Sequence, residues 1–476
     1  MKNILLIITD QQRKDALGCY NEDINFTPNI DRLAKNGICF EKNYVVNPVC
    51  TPNRVSIFTG RYVKNHGVHS NGLVTDKASP NLVEYLASLG YQTASFGKIH
   101  FEPYNCDTKD RSCESRNFWS EKDAVLSFPY HGFEIAELTI GHTLPLAQYG
   151  KWFYQNGGTD TMLEFNEEKQ PYRDMPVRLH DSMFVANKTI DYLKNSRDKE
   201  RPFIAVASFP DPHFPFNPPK KYFDKFKDMD VHLPKGSKED LCNRPAQYME
   251  HNQRKFYSKN TYGASFVEDD EITNNRIRCT HAMNNLIDDC VGNIMNTLEE
   301  EKLVDDTLVI YTSDHGELLG DFGLWYKGPF FFDASINVPL IFSHPELKKK
   351  NHIKDIISSV DILPTALDYI GIETPPLADG FSHKGSLQCN LEWKRNYAIT
   401  EYRGRDAVNI VCYTDNEYKF VYYEDGRREL TDKVNDPNEK SDLSKTRPDI
   451  IEKYEKKLLQ AMVETKSDYP AYTGKA

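Results

Sequence analysis

The chain has 476 residues, 39% hydrophobic and 27% charged, a balance typical of a folded globular protein too long for one small domain. A net charge of −11 argues against general affinity for nucleic acid or anionic membranes, so an anionic ligand must be drawn in by local cations. The longest apolar run near the start, Ile4 to Ile8, is too short to span a bilayer or act as a signal segment, which sets the expectation of a cytoplasmic protein. Ten cysteines at irregular spacings contain no Cys-x-x-Cys, so they are expected to be reduced and to bind no zinc ribbon. Cys106 and Cys113 share a polar loop and could pair only under oxidation. The run Lys348 to Lys350 reads as solvated surface.

Ile4–Thr9 reads as a buried strand ending at Asp10 and Gln11. Thr27 precedes a helix over Pro28–Lys35, with Ile30, Leu33 and Ala34 on one face and Asn36-Gly37 as its stop. Pro52 suits the first turn of another helix, which puts Cys50 at the positive end of that helix. Arg54, about one turn on, is placed to fork onto an oxyanion near the same point. Pro80–Leu89 reads as a helix, and Tyr91–Phe96 as a strand running into Gly97-Lys98-Ile99-His100. In extended backbone Lys98 and His100 face the same side.

A third strand, Phe203–Phe209, leads to Asp211-Pro-His213-Phe-Pro-Phe216, whose prolines stiffen the backbone around the imidazole. Thr280–Glu300 has helical spacing, and Thr307–Thr312 is a strand ending at Ser313-Asp314-His315. Val338–Phe342 and a helix over Val360–Ile370 complete the pattern. Strands separated by helices imply a parallel sheet covered on both faces. Asp10, Lys98, His213, Asp314 and His315 each follow the C-terminal end of a strand, the edge where open α/β sheets bind ligands. Two carboxylates, an amide oxygen and an imidazole suit a divalent cation. Calcium and magnesium prefer oxygen, whereas manganese accepts imidazole more readily.

After about residue 372 the texture changes to short strands over Asn396–Glu401, Asp406–Thr414 and Glu417–Glu424, with a hairpin signal at Asp425-Gly426 and a last helix over Pro448–Val463. The expected organisation is a catalytic domain over 1–372 and a smaller α+β domain over 373–476.

Residues 50–61, Cys-Thr-Pro-Asn-Arg-Val-Ser-Ile-Phe-Thr-Gly-Arg, resemble the signature of type I sulfatases of the alkaline phosphatase superfamily: Cys/Ser-x-Pro-x-Arg with a Thr-Gly-Arg tail. The resemblance is densest over residues 4–101 and 307–342, and extends to the turn at Leu430-x-Asp432 and Asn435-Asp-Pro. It implies an α/β fold with a large mixed, mostly parallel sheet sandwiched by helices, followed by a small C-terminal antiparallel sheet plus helix. It also implies that a separate maturation enzyme oxidises Cys50 to formylglycine, whose hydrate is the nucleophile.

The metal ligands it implies are Asp10, Gln11, residue 50, Asp314 and His315. The metal is calcium in most members, but many of these have Asp at the position of Gln11 and Asn at that of His315, so manganese and magnesium stay open. Lys98, Arg54 and Lys327, the last following Gly323-Leu-Trp-Tyr, would hold the sulfuryl oxygens. His100 would serve the hydrate and His213 would protonate the leaving oxygen. His66, His69 and Asn71 either line the pocket mouth or serve the scaffold.

The implied activity is hydrolysis of a sulfate monoester, on a small sugar or glycan fragment. Phosphonate monoester or phosphodiester hydrolysis is the alternative within the superfamily. Those relatives share the Asp-Gln and Asp-His pairs but generally lack the Lys-x-His pair. An alternative of another class is an unmodified, inactive protein that binds sulfated ligands.

Overall fold

The computed structural model describes residues 2–75, 81–105, 112–121, 123–142, 144–165, 170–231, 234–245, 248, 270–347, 352–388, 395–403 and 409–465. Cys106 and the run Lys348 to Lys350 lie outside the described residues. The strands are β1 (Asn3–Thr9), β2 (Gly37–Tyr44), β3 (Gln92–Gly97), β4 (Ile135–Leu138), β5 (Phe203–Phe209), β6 (Thr307–Ser313), β7 (Leu340–Ser343), β8 (His352–Ser358), β9 (Ala398–Arg403), β10 (Asn409–Thr414), β11 (Tyr418–Tyr423) and β12 (Arg428–Asp432). The helices that matter below are α1 (Pro28–Lys35), α2 (Cys50–Thr59), α3 (Leu82–Ser88), α4 (Asp181–Asp191), α5 (Asp270–Glu300), α6 (Ile362–Tyr369) and α7 (Pro448–Glu464).

β1 to β8 form one sheet in the order β4-β3-β5-β1-β6-β7-β2-β8. β1 lies at its centre, parallel to both β5 and β6, while β7 runs against β6 and β2. All seven residues of β1 are buried, which is why its sequence is an unbroken apolar run rather than an alternating one. Ile4, Leu6 and Ile8 pack on one face with α2, α3 and α6, whereas Leu5 and Ile7 pack on the other with α1, α4 and α5. Each fully buried Ile or Leu contributes roughly 1.5–3 kcal/mol. The expected mixed, mostly parallel sheet sandwiched by helices is what the chain forms.

Several bounds differ from the sequence reading. α5 starts at Asp270 rather than Thr280, because its opening Asp-Glu-Ile-Thr-Asn-Asn carries no apolar periodicity. β2, β4, β8 and α4 carried no clear sequence signal. β2 breaks its apolar run at Glu41-Lys42, and β8 interleaves charges at the sheet edge. The segment expected to be a parallel strand near Val338–Phe342 is the antiparallel β7.

The second sheet, in the order β12-β11-β10-β9, is antiparallel throughout. Its hairpin between β11 and β12 turns at Gly426, where φ is +86°. Ile399, Phe420 and Leu430 pack against α7, while Ala398, Ile410 and Cys412 pack against Tyr44 and Val45 at the end of β2. Among the described residues, no helix is long and apolar enough to cross a membrane.

Gly97 ends β3 with φ at +105°, and a Cβ there would lie 1.9 Å from the Ser208 carbonyl oxygen of β5. A left-handed residue wedged against a neighbouring strand tolerates only glycine. Gly97→Ala is therefore expected to cost on the order of 2 kcal/mol or more. Urea unfolding checks this, and an unchanged midpoint would rule it out.

Candidate active site

Three strand ends and one helix start meet at a buried floor. Asp10 follows β1, Asp314 and His315 follow β6, Lys98 follows β3, and Cys50 opens α2. The backbone fixes these ends to each other: Asp314 N–H donates to Thr9 O at 3.1 Å and Asp10 N–H to Asp211 O at 3.2 Å. Gln11, held at φ +67°, donates its N–H to Asp314 Oδ1 at 3.1 Å. Pro52 sits in the first turn of α2, and Asn71 Oδ1 accepts the otherwise free N–H of Thr51 at 3.0 Å.

Arg54 lies wholly beneath this floor. Its Nε donates to Asp314 Oδ2 at 2.7 Å, one terminal nitrogen reaches Asp10 Oδ2 at 3.3 Å, and the other donates to Lys98 O at 2.7 Å and Ser208 Oγ at 2.9 Å. The sequence reading placed this guanidinium on the sulfuryl oxygens; the structure places it on the carboxylates and the strand ends. Lys98 Nζ donates to Asp10 Oδ2. Lys327 Nζ donates to Cys50 Sγ at 3.0 Å and Gln11 Oε1 at 2.8 Å, and lies 3.0 Å from His315 Nε2.

Charge is concentrated here. Burial pushes the Cys50 thiol up, but Lys327, Lys98 and His315 outweigh it and hold the thiol well below its usual range. Burial also raises Asp10, as does Cys50, yet Lys98, His213 and Lys327 carry it below the usual carboxylate range. Burial lowers Lys327, but Cys50, Asp10 and Asp314 raise it further. The donor chemistry fits a divalent cation. Asp10, Cys50, Asp314 and His315 are all buried, and each presents one ligand atom within 4.8 Å of the others. The Gln11 oxygen is turned to the same lysine.

The open side of the site is half-buried His100, His213, Phe214 and Lys327. His100 adds a smaller contribution to lowering the Cys50 thiol. Its backbone is left-handed at φ +58°, and Glu114 accepts the N–H groups of His100 and Phe101, both at 2.8 Å. His213 Nδ1 faces the Phe214 carbonyl, which can only accept, so Nδ1 carries the proton and Nε2 is left toward the site. The imidazole stacks on Phe214 at 4.2 Å. Burial, then Lys327, hold its pKa down to about 3.

All of the sequence-predicted metal ligands, with Arg54, Lys98, His100, His213 and Lys327, are thus brought together. His66 is not at a pocket mouth: it is buried, 2.8 Å from Ser56 Oγ, and accepts the Val68 N–H at 3.1 Å. His69 is half-buried. Residues missed from sequence include Glu317, which accepts the Gln11 amide N–H together with the Leu319 and Tyr326 backbone N–H groups. Glu317 thereby points the Gln11 oxygen at Lys327. Its place two residues after His315 was the available signal. Glu114 and Ser208 carried none, because neither belongs to a motif.

The chain belongs to the sulfatase family, whose profile matches residues 2–372. A second profile, described as N-sulphoglucosamine sulphohydrolase, C-terminal, matches residues 320–467. Similar proteins include the uncharacterized sulfatase YidJ of Escherichia coli K12, 29% identical over 451 residues, covering 93% of this chain and 82% of that protein. An arylsulfatase of Clostridium perfringens is 28% identical, covering 93% and 90%. Among solved structures, the phosphonate monoester hydrolase of Agrobacterium radiobacter is 25% identical, with a TM-score of 0.83 over 99% of this chain and 97% of that one. The architecture is accordingly alkaline-phosphatase-like.

Arg54→Ala would leave Asp314 and part of Asp10 charged, buried and unpaired, and is expected to cost about 3–5 kcal/mol in urea unfolding. Burial, then Arg61, hold His66 down to about 3, against 6.5 in the unfolded chain. Because only the unfolded state takes up this proton between those values, stability is full above about 6.5 and falls as pH drops toward 3, by up to about 1.4 kcal/mol per pH unit. His66→Gln should flatten the pH dependence of the unfolding free energy between pH 7 and 4.

Proposed function

We propose that the protein hydrolyses a sulfate monoester carried on a small sugar or glycan fragment, after a maturation enzyme has converted Cys50 to formylglycine. The observation that carries this reading is Cys50 itself, buried at the start of α2, 3.1 Å from His315 Nε2 and 3.0 Å from Lys327 Nζ. The match to the sulphohydrolase C-terminal profile supports a sugar as the carrier.

Asp10, Gln11, Asp314, His315 and residue 50 would hold one divalent cation. Calcium suits the oxygen donors, while His315 and the neutral Gln11 also admit manganese or magnesium. When bound, that cation supplies Lewis-acid polarisation of the transferred group, and formylglycine supplies the nucleophilic oxygen. Lys98 and Lys327 neutralise charge on the sulfuryl oxygens. Arg54 holds Asp10 and Asp314 in place. In the free site the lysine field helps keep His213 neutral. An anionic ester between the lysines offsets that field, so Nε2 holds a proton when a leaving oxygen is there to receive it. His100 accepts a proton at residue 50 when sulfate is expelled.

Phosphonate monoester or phosphodiester hydrolysis is the second reading, favoured by the Gln11 and His315 donors and by the likeness to the Agrobacterium enzyme. The Lys98 and His100 pair, both on the reacting residue's side, favours sulfate. Matured protein is expected to release sulfate from sulfated mono- or disaccharides, and Lys98→Ala to lower kcat/KM by about 10²–10³. Turnover of phosphonate esters with no sulfate ester cleaved would reverse the assignment. The Cys50 peptide should react with hydrazide as an aldehyde; a thiol persisting after co-expression with a maturation enzyme would favour an inactive binding protein.

A further inference from the structure

We propose that His142, His180, Asp181 and Asp211 form a second, buried divalent-metal site of zinc-like chemistry behind the loop that carries His213. The four residues come from three separate places: a loop after β4, the start of α4 and the turn after β5. All are buried, and each presents one ligand atom within 4.8 Å of the others. None belongs to the floor around Cys50.

Asp211 Oδ1 meets His142 Nε2, and Asp211 Oδ2 accepts from Ser182 Oγ at 2.7 Å. His180 Nδ1 lies 3.0 Å from Asp181 Oδ1 and 3.7 Å from Asp211 Oδ2. Those two separations bracket the ligand–ligand edge of about 3.4 Å that a tetrahedron with zinc-length bonds requires.

The protons point the same way. His180 precedes α4, and the Ser182 N–H there lies 2.9 Å from Asp181 Oδ1 and 3.3 Å from His180 Nδ1. Without a metal that Nδ1 shares a proton with Asp181 at 3.0 Å, and a divalent cation between the ring and the two buried carboxylates would take the proton's place. Ligand atoms gathered out of water in this way are held together by protons or by a shared cation. On the far side of the ring Nε2 is buried and has no hydrogen-bond partner, so the ring is oriented by what lies at Nδ1. Two imidazoles and two carboxylates make a four-ligand N/O set suited to zinc; calcium requires six to eight oxygens.

The position suggests a brace rather than a participant in the reaction. The Asp211 carbonyl receives the Asp10 N–H, and His213 lies two residues further on. A cation on the Asp211 carboxylate would fix both the first metal ligand and the proton donor from behind.

The test uses the full chain, stripped with chelator, titrated with Zn²⁺ alone, and counted by elemental mass spectrometry after gel filtration. About two zinc ions per chain are expected, with His315→Ala and His142→Ala each keeping one and the double variant none. On the His315→Ala background, zinc should raise the Tm, and adding His142→Gln should remove the rise even if His142→Ala folds poorly. A single zinc lost entirely with His315→Ala would overturn the proposal and leave the cluster a hydrogen-bonded network. The count does not depend on sulfate ester hydrolysis, so it stands or falls apart from that assignment.

Discussion

The active site depends on one buried guanidinium. Arg54 bonds to the residues that end β6 and β1, to the carbonyl that follows β3, and to Ser208 in β5. Neighbouring strands set these ends close together, but two carboxylates converging out of water repel unless a cation lies between them. A planar fork of donors can serve carboxylates and strand ends at once, which a lysine's single point charge cannot. The arginine also stands about one turn after Cys50 on the same helix. Helix geometry therefore ties Cys50 to the carboxylates beside it, without any loop intervening.

Above that clamp, the site is a balance of opposite charges with little slack. Lys98 rests on Asp10, and Lys327 bridges Gln11, Cys50 and His315. A neutral Gln11 gives this floor one carboxylate fewer than an aspartate would. Glu317 compensates sterically rather than electrostatically: buried, and raised by that burial, it receives three N–H groups and sets which way the Gln11 amide faces. The charge of the floor and the orientation of its donors are thus separate properties here, one set by residue type and the other by the neighbour behind it.

Much of this was legible in the sequence because strand ends in a parallel sheet are marked twice. A buried strand such as Ile4–Thr9 is an apolar run, and the polar residue that stops it is by the same fact at the ligand-binding edge. Asp10, Asp314, Lys98 and His213 were found that way. What stayed hidden lacks such a marker. β2 and β8 carry charges that break their runs, and the polar start of α5 has no face to reveal it. The role of Arg54 was misjudged because helical spacing gives proximity to Cys50 but not depth. Only the packed sheet shows that its donors point down to the carboxylates. Glu114 supports His100 from a loop with no periodicity at all.

The turn after β5 joins these properties. Its Asp211 offers the carbonyl to Asp10 and the carboxylate to the histidines behind, and His213 follows with its Nδ1 proton committed to Phe214. Any displacement of this turn therefore moves Asp10 and His213 together. In the proposed reaction, their separation would set whether His213 reaches the leaving oxygen of a group held on the floor. On the proposed mechanism, an acid that is neutral until an anion arrives would gain from being held still, because only the proton would have to be acquired.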